Sequence, residues 1–141
     1  MLIADGDYTE AIKDLNTYLY HYSQDVDAWR ELGSLYCKHW SFEKARFCYE
    51  EALLNQTDNS YNLMKLGEML CCLGEYKSAR KYLSEACCLN KSFMKALWVL
   101  WYACKKSADD INTVSVSKLC RDMLLKAYES NAIYPTIKQI L

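Results

Sequence analysis

Two stretches of this chain carry one pattern of apolar and small positions. The first reads Trp29-x2-Leu32-Gly33-x2-Tyr36, followed by Ala45, Tyr49 and Ala52. The second reads Leu63-x2-Leu66-Gly67-x2-Leu70, followed by Ala79, Leu83 and Ala86. Within each half-pattern the residues fall three or four apart, or seven, which places them on one face of a helix. Three pairs of small residues are each separated by 34 positions: Gly33 and Gly67, Ala45 and Ala79, Ala52 and Ala86. The pattern predicts units of two helices joined by a turn. A glycine inside a helix costs about 1 kcal/mol relative to alanine, so Gly33 and Gly67 predict points where a second helix passes close. The alanines of that second helix suit the same crossing.

A helix–turn–helix unit with a 34-residue period is the tetratricopeptide (TPR) repeat. The chain is therefore read as one all-α domain over 1–141, a TPR-type solenoid of about two full repeats plus flanking helices. Residues 1–25 hold the second helix of a truncated repeat, over 7–20, entered by the turn Asp5-Gly6-Asp7. Residues 26–59 form a repeat with helices over Val26–Lys38, capped by Asp25 or Ser23, and Phe42–Asn55, started by Ser41 and Glu43. Residues 60–93 form the next, with helices near Ser60–Leu73 and Tyr76–Leu89 parted by Gly74-Glu75. Residues 94–141 are a diverged C-terminal repeat with capping helices, its first helix over Phe93–Lys106.

Beyond that helix the period is read as lost, because Thr113 stands where a small residue is due. A longer connection through Asp109-Asp110 is expected, then a helix over about 114–130, whose Val116, Leu119, Met123, Leu124 and Ala127 keep helical spacing. Tyr134-Pro135 opens a last short helix, proline being tolerated in a first turn. At the other end, Ile12, Leu15, Tyr18 and Leu19 make an apolar face that an unpaired helix leaves uncovered. That predicts further helices upstream in a longer array, or a homodimer through residues 7–20.

Composition narrows the function classes. The chain is 52% hydrophobic and 25% charged, far from a disordered tail. Its net charge of −1 argues against a nucleic-acid binder, which usually carries a basic stripe. No apolar run approaches the ~20 residues of a membrane span. The opening Met1-Leu-Ile-Ala-Asp-Gly-Asp lacks the basic start and the apolar length of a signal peptide. The 8 cysteines form no CxxC and no Cys/His cluster; Cys71–Cys72 and Cys87–Cys88 are adjacent and point about 100° apart on a helix. They are read as reduced packing residues, with a thiol or metal-handling protein as the rival reading.

Chemistry is sparse. His21 and His39 are the only histidines; His21 sits at a helix end and His39 in the turn between the two helices of the first full repeat. No HExxH, GxxxxGK, GxSxG or GxGxxG occurs, so neither a catalytic residue nor a cofactor or metal is expected. Binding is the expected activity. In stacked helix pairs the first helices line a concave groove, and counting inward positions gives a partner-binding set of Arg30, Ser34, Tyr61, Met64, Lys65, Glu68, Lys95, Trp98 and Tyr102. Trp98 and Tyr102 share a face, and large aromatics beside cations are common interface anchors. The alternative places Trp98 and Trp101 in the core, against the C-terminal helix. TPR domains that hold a C-terminal carboxylate use a Lys/Asn/Asn/Lys/Arg set. Here those positions are Arg30, Ser34, Lys65, Lys95 and Val99, of which only Lys95 matches, so a chaperone-tail binder is disfavoured.

Several phrases go beyond the generic repeat. Glu10-Ala-Ile-x2-Leu-Asn16-x-Tyr-Leu19 is followed by Asp27-Ala-Trp-x-Glu-Leu32 and Lys44-Ala-x-Phe-Cys-x-Glu-Glu51. Arg80-Lys-Tyr82, Ala86-x2-Leu-Asn90 and Met94-x-Ala-Leu97 follow in the same order. This order resembles subunit 2 of the ER membrane protein complex over residues ~8–104, and departs from it after Cys104. The resemblance implies a TPR scaffold without catalytic residues, on the cytosolic face of the endoplasmic reticulum membrane. It implies other protein subunits as partners, in an assembly that inserts tail-anchored and multi-pass membrane proteins. It also implies a TPR array upstream.

Overall fold

The computed structural model describes residues 5–107 and 110–141. Among them are eight helices and no strand: α1 (Asp5–His21), α2 (Val26–Lys38), α3 (Phe42–Asn55), α4 (Ser60–Cys72), α5 (Tyr76–Leu89), α6 (Met94–Lys106), α7 (Ile111–Ala127) and α8 (Tyr134–Ile140). Each helix packs on the next in sequence, and α4 also touches α6. That is the connectivity of a solenoid, in which α2, α4 and α6 form one row and α3, α5 and α7 the other.

Local chemistry sets the boundaries. Asp25 caps α2, its carboxylate accepting from the Ala28 amide at 3.1 Å; Ser23 does not serve there. Asn59 caps α4 in the same way, accepting from the Asn62 amide at 3.1 Å. Ser41 precedes α3 but makes no side-chain cap bond. The turn after α2 and the turn after α4 are one structure. Ser41 N–H bonds the Tyr36 carbonyl at 2.9 Å, as Glu75 N–H bonds that of Leu70 at 2.9 Å. Such a closure needs a left-handed residue just past the helix. Gly74 fills it with φ 80, and Trp40 fills it with φ 59. For a side chain that conformation costs about 1–2 kcal/mol, yet Trp40 stays 81% exposed.

The glycines mark close crossings, as their spacing predicts. A Cβ on Gly67 would lie 2.5 Å from Cγ of Leu83, and one on Gly33 would lie 3.0 Å from the Tyr49 ring. Ala45, Ala52, Ala79 and Ala86 are fully buried at the same crossings. The main core runs through α3 to α7, and a smaller cluster of Leu19, Ala28, Leu32 and Cys48 joins α1 to α2 and α3.

Four expectations change. The first helix begins at Asp5, so Gly6 lies within it rather than in a turn before it; the signal-peptide reading rests largely on residues 1–4, outside the described residues. The apolar face of α1 is mostly covered: Leu19 is 4% exposed, and Ile12 and Leu15 pack half-buried on the same cluster. Only Tyr18 of that face stays out, its hydroxyl donating to Asp25 at 2.8 Å. The third change lies at the far end, where α7 starts at Ile111 and the expected long connection shrinks; residues 108–109 lie outside the described residues. The fourth is that the period continues there. Thr113 and Cys120, 34 residues after Ala79 and Ala86, are buried at 2% and 3%. Threonine is small enough for the crossing, and its hydroxyl accepts from Arg80.

Candidate functional site

The row α2, α4, α6 presents the nine residues singled out from the sequence, and the structure divides them into three groups. Ser34, Tyr61, Lys95 and Tyr102 are exposed. Arg30, Lys65, Glu68 and Trp98 are half-buried and engaged with neighbours. Met64 does not reach the surface: at 1% exposed it belongs to the core, on the side of α4 it shares with the buried Gly67 and Cys71.

Arg30 is held from three directions. Its Nε donates to Asn62 Oδ1 at 2.7 Å, its Nη1 lies 3.2 Å from Asp27, and its guanidinium sits 5.0 Å from the Tyr61 ring centroid. Asn62 is 0% exposed and was not anticipated. A signal for it exists: the residues 34 before and after it are Ala28 and Ala96, both buried, so a polar residue in that slot needs a polar partner.

Two turns beyond Tyr61 along α4, Glu68 bridges two cations, 3.3 Å from Lys65 and 3.5 Å from Lys95. Burial pushes the Lys65 ammonium down, but the charge of Glu68 and its hydrogen bond outweigh this and hold it above the usual lysine value. Next to this bridge lies a hollow of about 290 Å³ between α4 and α6, lined by Glu68, Cys71, Cys72, Trp98, Val99 and Tyr102. Trp98 is both wall and support. Its indole N–H donates to the Tyr128 hydroxyl at 3.4 Å, and its ring meets Trp101 edge-on at 6.0 Å. Tyr128, at the end of α7, is a contributor that the groove count missed, since it lies outside the first-helix row.

The remaining candidates for chemistry are the two histidines and the thiols. His39 is exposed, its ring perpendicular to that of Tyr8 at 5.2 Å between centroids, and His21 is exposed at the end of α1. Among the described residues no three His, Cys, Asp or Glu side chains come together to hold a metal ion. Burial pushes the thiols of Cys48, Cys71 and Cys120 up to about 12 and that of Cys87 to about 11. A thiol held so high stays protonated at neutral pH and is a poor ligand or nucleophile. No helix among the described residues is long and apolar enough to cross a membrane. What the arrangement offers is an open, partly apolar, partly cationic surface on rigid helices.

Known proteins show the same architecture. The TPR protein MamA superposes with a TM-score of 0.67 at 17% identity, covering 99% of this chain and 91% of that one. The first TPR of Spaghetti (RPAP3), solved with the HSP90 peptide SRMEEVD, superposes with a TM-score of 0.66 at 20% identity, covering 84% and 96%. At such identities the likeness is one of fold. Sequence kinship is narrower. ER membrane protein complex subunit 2-A of Xenopus laevis is 37% identical over 101 residues, 70% of this chain and 34% of the relative. The TPR repeat protein oca3 of Schizosaccharomyces pombe is 27% identical over 122 residues, 86% and 43%. The chain thus spans about a third to under half of the length of the curated relatives it matches. The EMC2 TPR-like repeat domain matches residues 1–98, and with that span and that kinship the chain belongs to the family of ER membrane protein complex subunit 2.

Proposed function

We propose that this chain is a non-catalytic scaffold that holds other protein subunits together at the cytosolic face of the endoplasmic reticulum membrane. In this reading it is the TPR subunit of an assembly that inserts tail-anchored and multi-pass membrane proteins. The observation that carries the proposal is the family membership over residues 1–98, joined to a surface on α4 and α6 that exposes Tyr61, Lys95 and Tyr102. Arg30, Tyr61, Lys95, Trp98 and Tyr102 would be its contact residues. A homodimer through residues 7–20 has less to stand on, because Leu19 is already buried against α2 and α3.

A second reading, a peptide adaptor, draws on the hollow beside Trp98. The two separate by affinity purification of the full-length chain from a mild-detergent extract, read by mass spectrometry. A stoichiometric set of endoplasmic reticulum membrane subunits is the result expected of the scaffold. Recovery of soluble cytosolic proteins alone overturns it and leaves the adaptor.

A further inference from the structure

The groove is uneven in charge. α6 carries Lys95, Lys105 and Lys106 and no carboxylate along its length. α2, at the other end, exposes Asp27 and Glu31. Lys95, Trp98, Tyr102 and Lys105 or Lys106 follow at steps of three and four, on one face of α6. At a rise of about 1.5 Å per residue, the two cationic ends of that face stand about 15 Å apart. Between them lies the hollow of about 290 Å³, walled by Trp98, Val99 and Tyr102 from α6 and by Glu68, Cys71 and Cys72 from α4, with the Glu68 carboxylate taken up by Lys65 and Lys95.

The cations at the two ends are differently occupied. Lys95 leans on Glu68 at 3.5 Å, sharing it with Lys65. Lys105 and Lys106 lie over the rings of Trp101 and Tyr102, at 5.7 and 5.8 Å from the centroids. Among the described residues no carboxylate comes within ion-pair distance of either. Each ammonium is held over a ring by a cation–π contact, which restrains it before anything binds.

We propose, resting on the scaffold reading above, that the α6 end of the groove takes an acidic amphipathic segment of a partner protein. One apolar side chain of that segment fills the hollow. Carboxylates on either side of it face Lys95 and the Lys105–Lys106 pair. The ligand is an internal segment and needs no free C-terminus, because Ser34, Lys65 and Val99 do not supply a terminal-carboxylate clamp.

The test uses the full-length chain and three end-blocked synthetic peptides of one length, titrated by calorimetry. One is acidic with a central leucine, one is the same with alanine for the leucine, and one has lysines for the acidic residues with the leucine kept. The acidic leucine peptide is expected to bind about tenfold tighter than either control. Its affinity is expected to fall as salt rises from about 0.05 to about 0.5 M. In the Lys105→Glu/Lys106→Glu double variant the preference is expected to vanish, with helical content and melting temperature unchanged. Equal binding of the lysine peptide, indifference to salt, or no binding of the acidic peptide at millimolar concentration overturns the inference. Because the scaffold reading is tested separately, by co-purification of folded subunits, its failure is not confused with this one. Full subunit recovery without the acidic preference sinks the acidic segment and leaves the scaffold standing.

Discussion

At the α2–α3 crossing Gly33 gives way to Tyr49, and at the α4–α5 crossing Gly67 gives way to Leu83. One period further on, the same two register positions are Trp101 and Ser117, so the large residue has moved to the other helix. The α6–α7 pair packs less intimately than the two pairs before it. The difference teaches that one repeat geometry accommodates either helix as the bulky one, at the expense of close approach. It also has a consequence for the groove. Trp101 meets Trp98 edge-on at 6.0 Å, and Trp98 reaches Tyr128 at the end of α7. The aromatic wall of the hollow therefore belongs to the reversed crossing, while the first two crossings leave their groove faces to Arg30, Tyr61 and Glu68.

The largest expected effect breaks a tight crossing. Leu83→Ala removes a fully buried partner and should cost about 2–5 kcal/mol in a denaturant titration. Overfilling the same place by Ala79→Leu should cost about 1–3 kcal/mol; an unchanged midpoint would contradict the assignment of that contact. Trp101→Gly should cost about 2–3 kcal/mol, toward the low end for buried aromatics because the residue is only partly buried. Adding Ser117→Leu should recover part of the loss by restoring the glycine-on-leucine arrangement, and no recovery would show that the third crossing is not equivalent to the others.

Smaller effects sharpen the picture. Gly67→Ala gains about 1 kcal/mol of helix propensity, yet its methyl would lie 2.5 Å from Leu83, so thermal melting should show a net loss. Gly33→Ala meets a ring at 3.0 Å and should lose less. At the turns, Trp40→Gly should leave stability equal or raise it by up to about 1 kcal/mol, since it relieves a left-handed tryptophan. A clear drop in melting temperature would mean that the exposed indole supports the fold.

The weakest effect is on acid stability. The Tyr18 hydroxyl and the Ala28 amide hold the Asp25 carboxyl below its ordinary value of 3.8. A depressed folded value means that the contribution is present above the unfolded pKa and lost as pH falls through the folded one. Asp25→Asn should therefore flatten the acid limb of a stability–pH curve below about pH 4.

Much of the fold was legible because close crossings demand small residues, and small residues repeat visibly. The boundaries of α2 to α6 follow from that register together with Asp25 and Gly74, and the structure adds Asn59 as the cap of α4. The third crossing escaped because Thr113 and Cys120 do the work of alanine and Trp101 the opposite of glycine; sequence letters change where packing volume is conserved only in sum. Met64 misled for a related reason. Inward toward the groove and inward toward the core differ by one step around α4, and a methionine suits either. Asn62 and Tyr128 were missed because each acts through another residue, holding Arg30 and Trp98 in place.

The central claim is that the groove beside α6 is a surface for a protein partner, and the Trp98→Ala/Tyr102→Ala variant of the full-length chain tests it most directly. Partner recovery and melting temperature are measured on the same preparation. The account predicts that recovery falls about tenfold while melting shifts by only a few degrees. Loss of both in proportion would return these two residues to the core and contradict the claim.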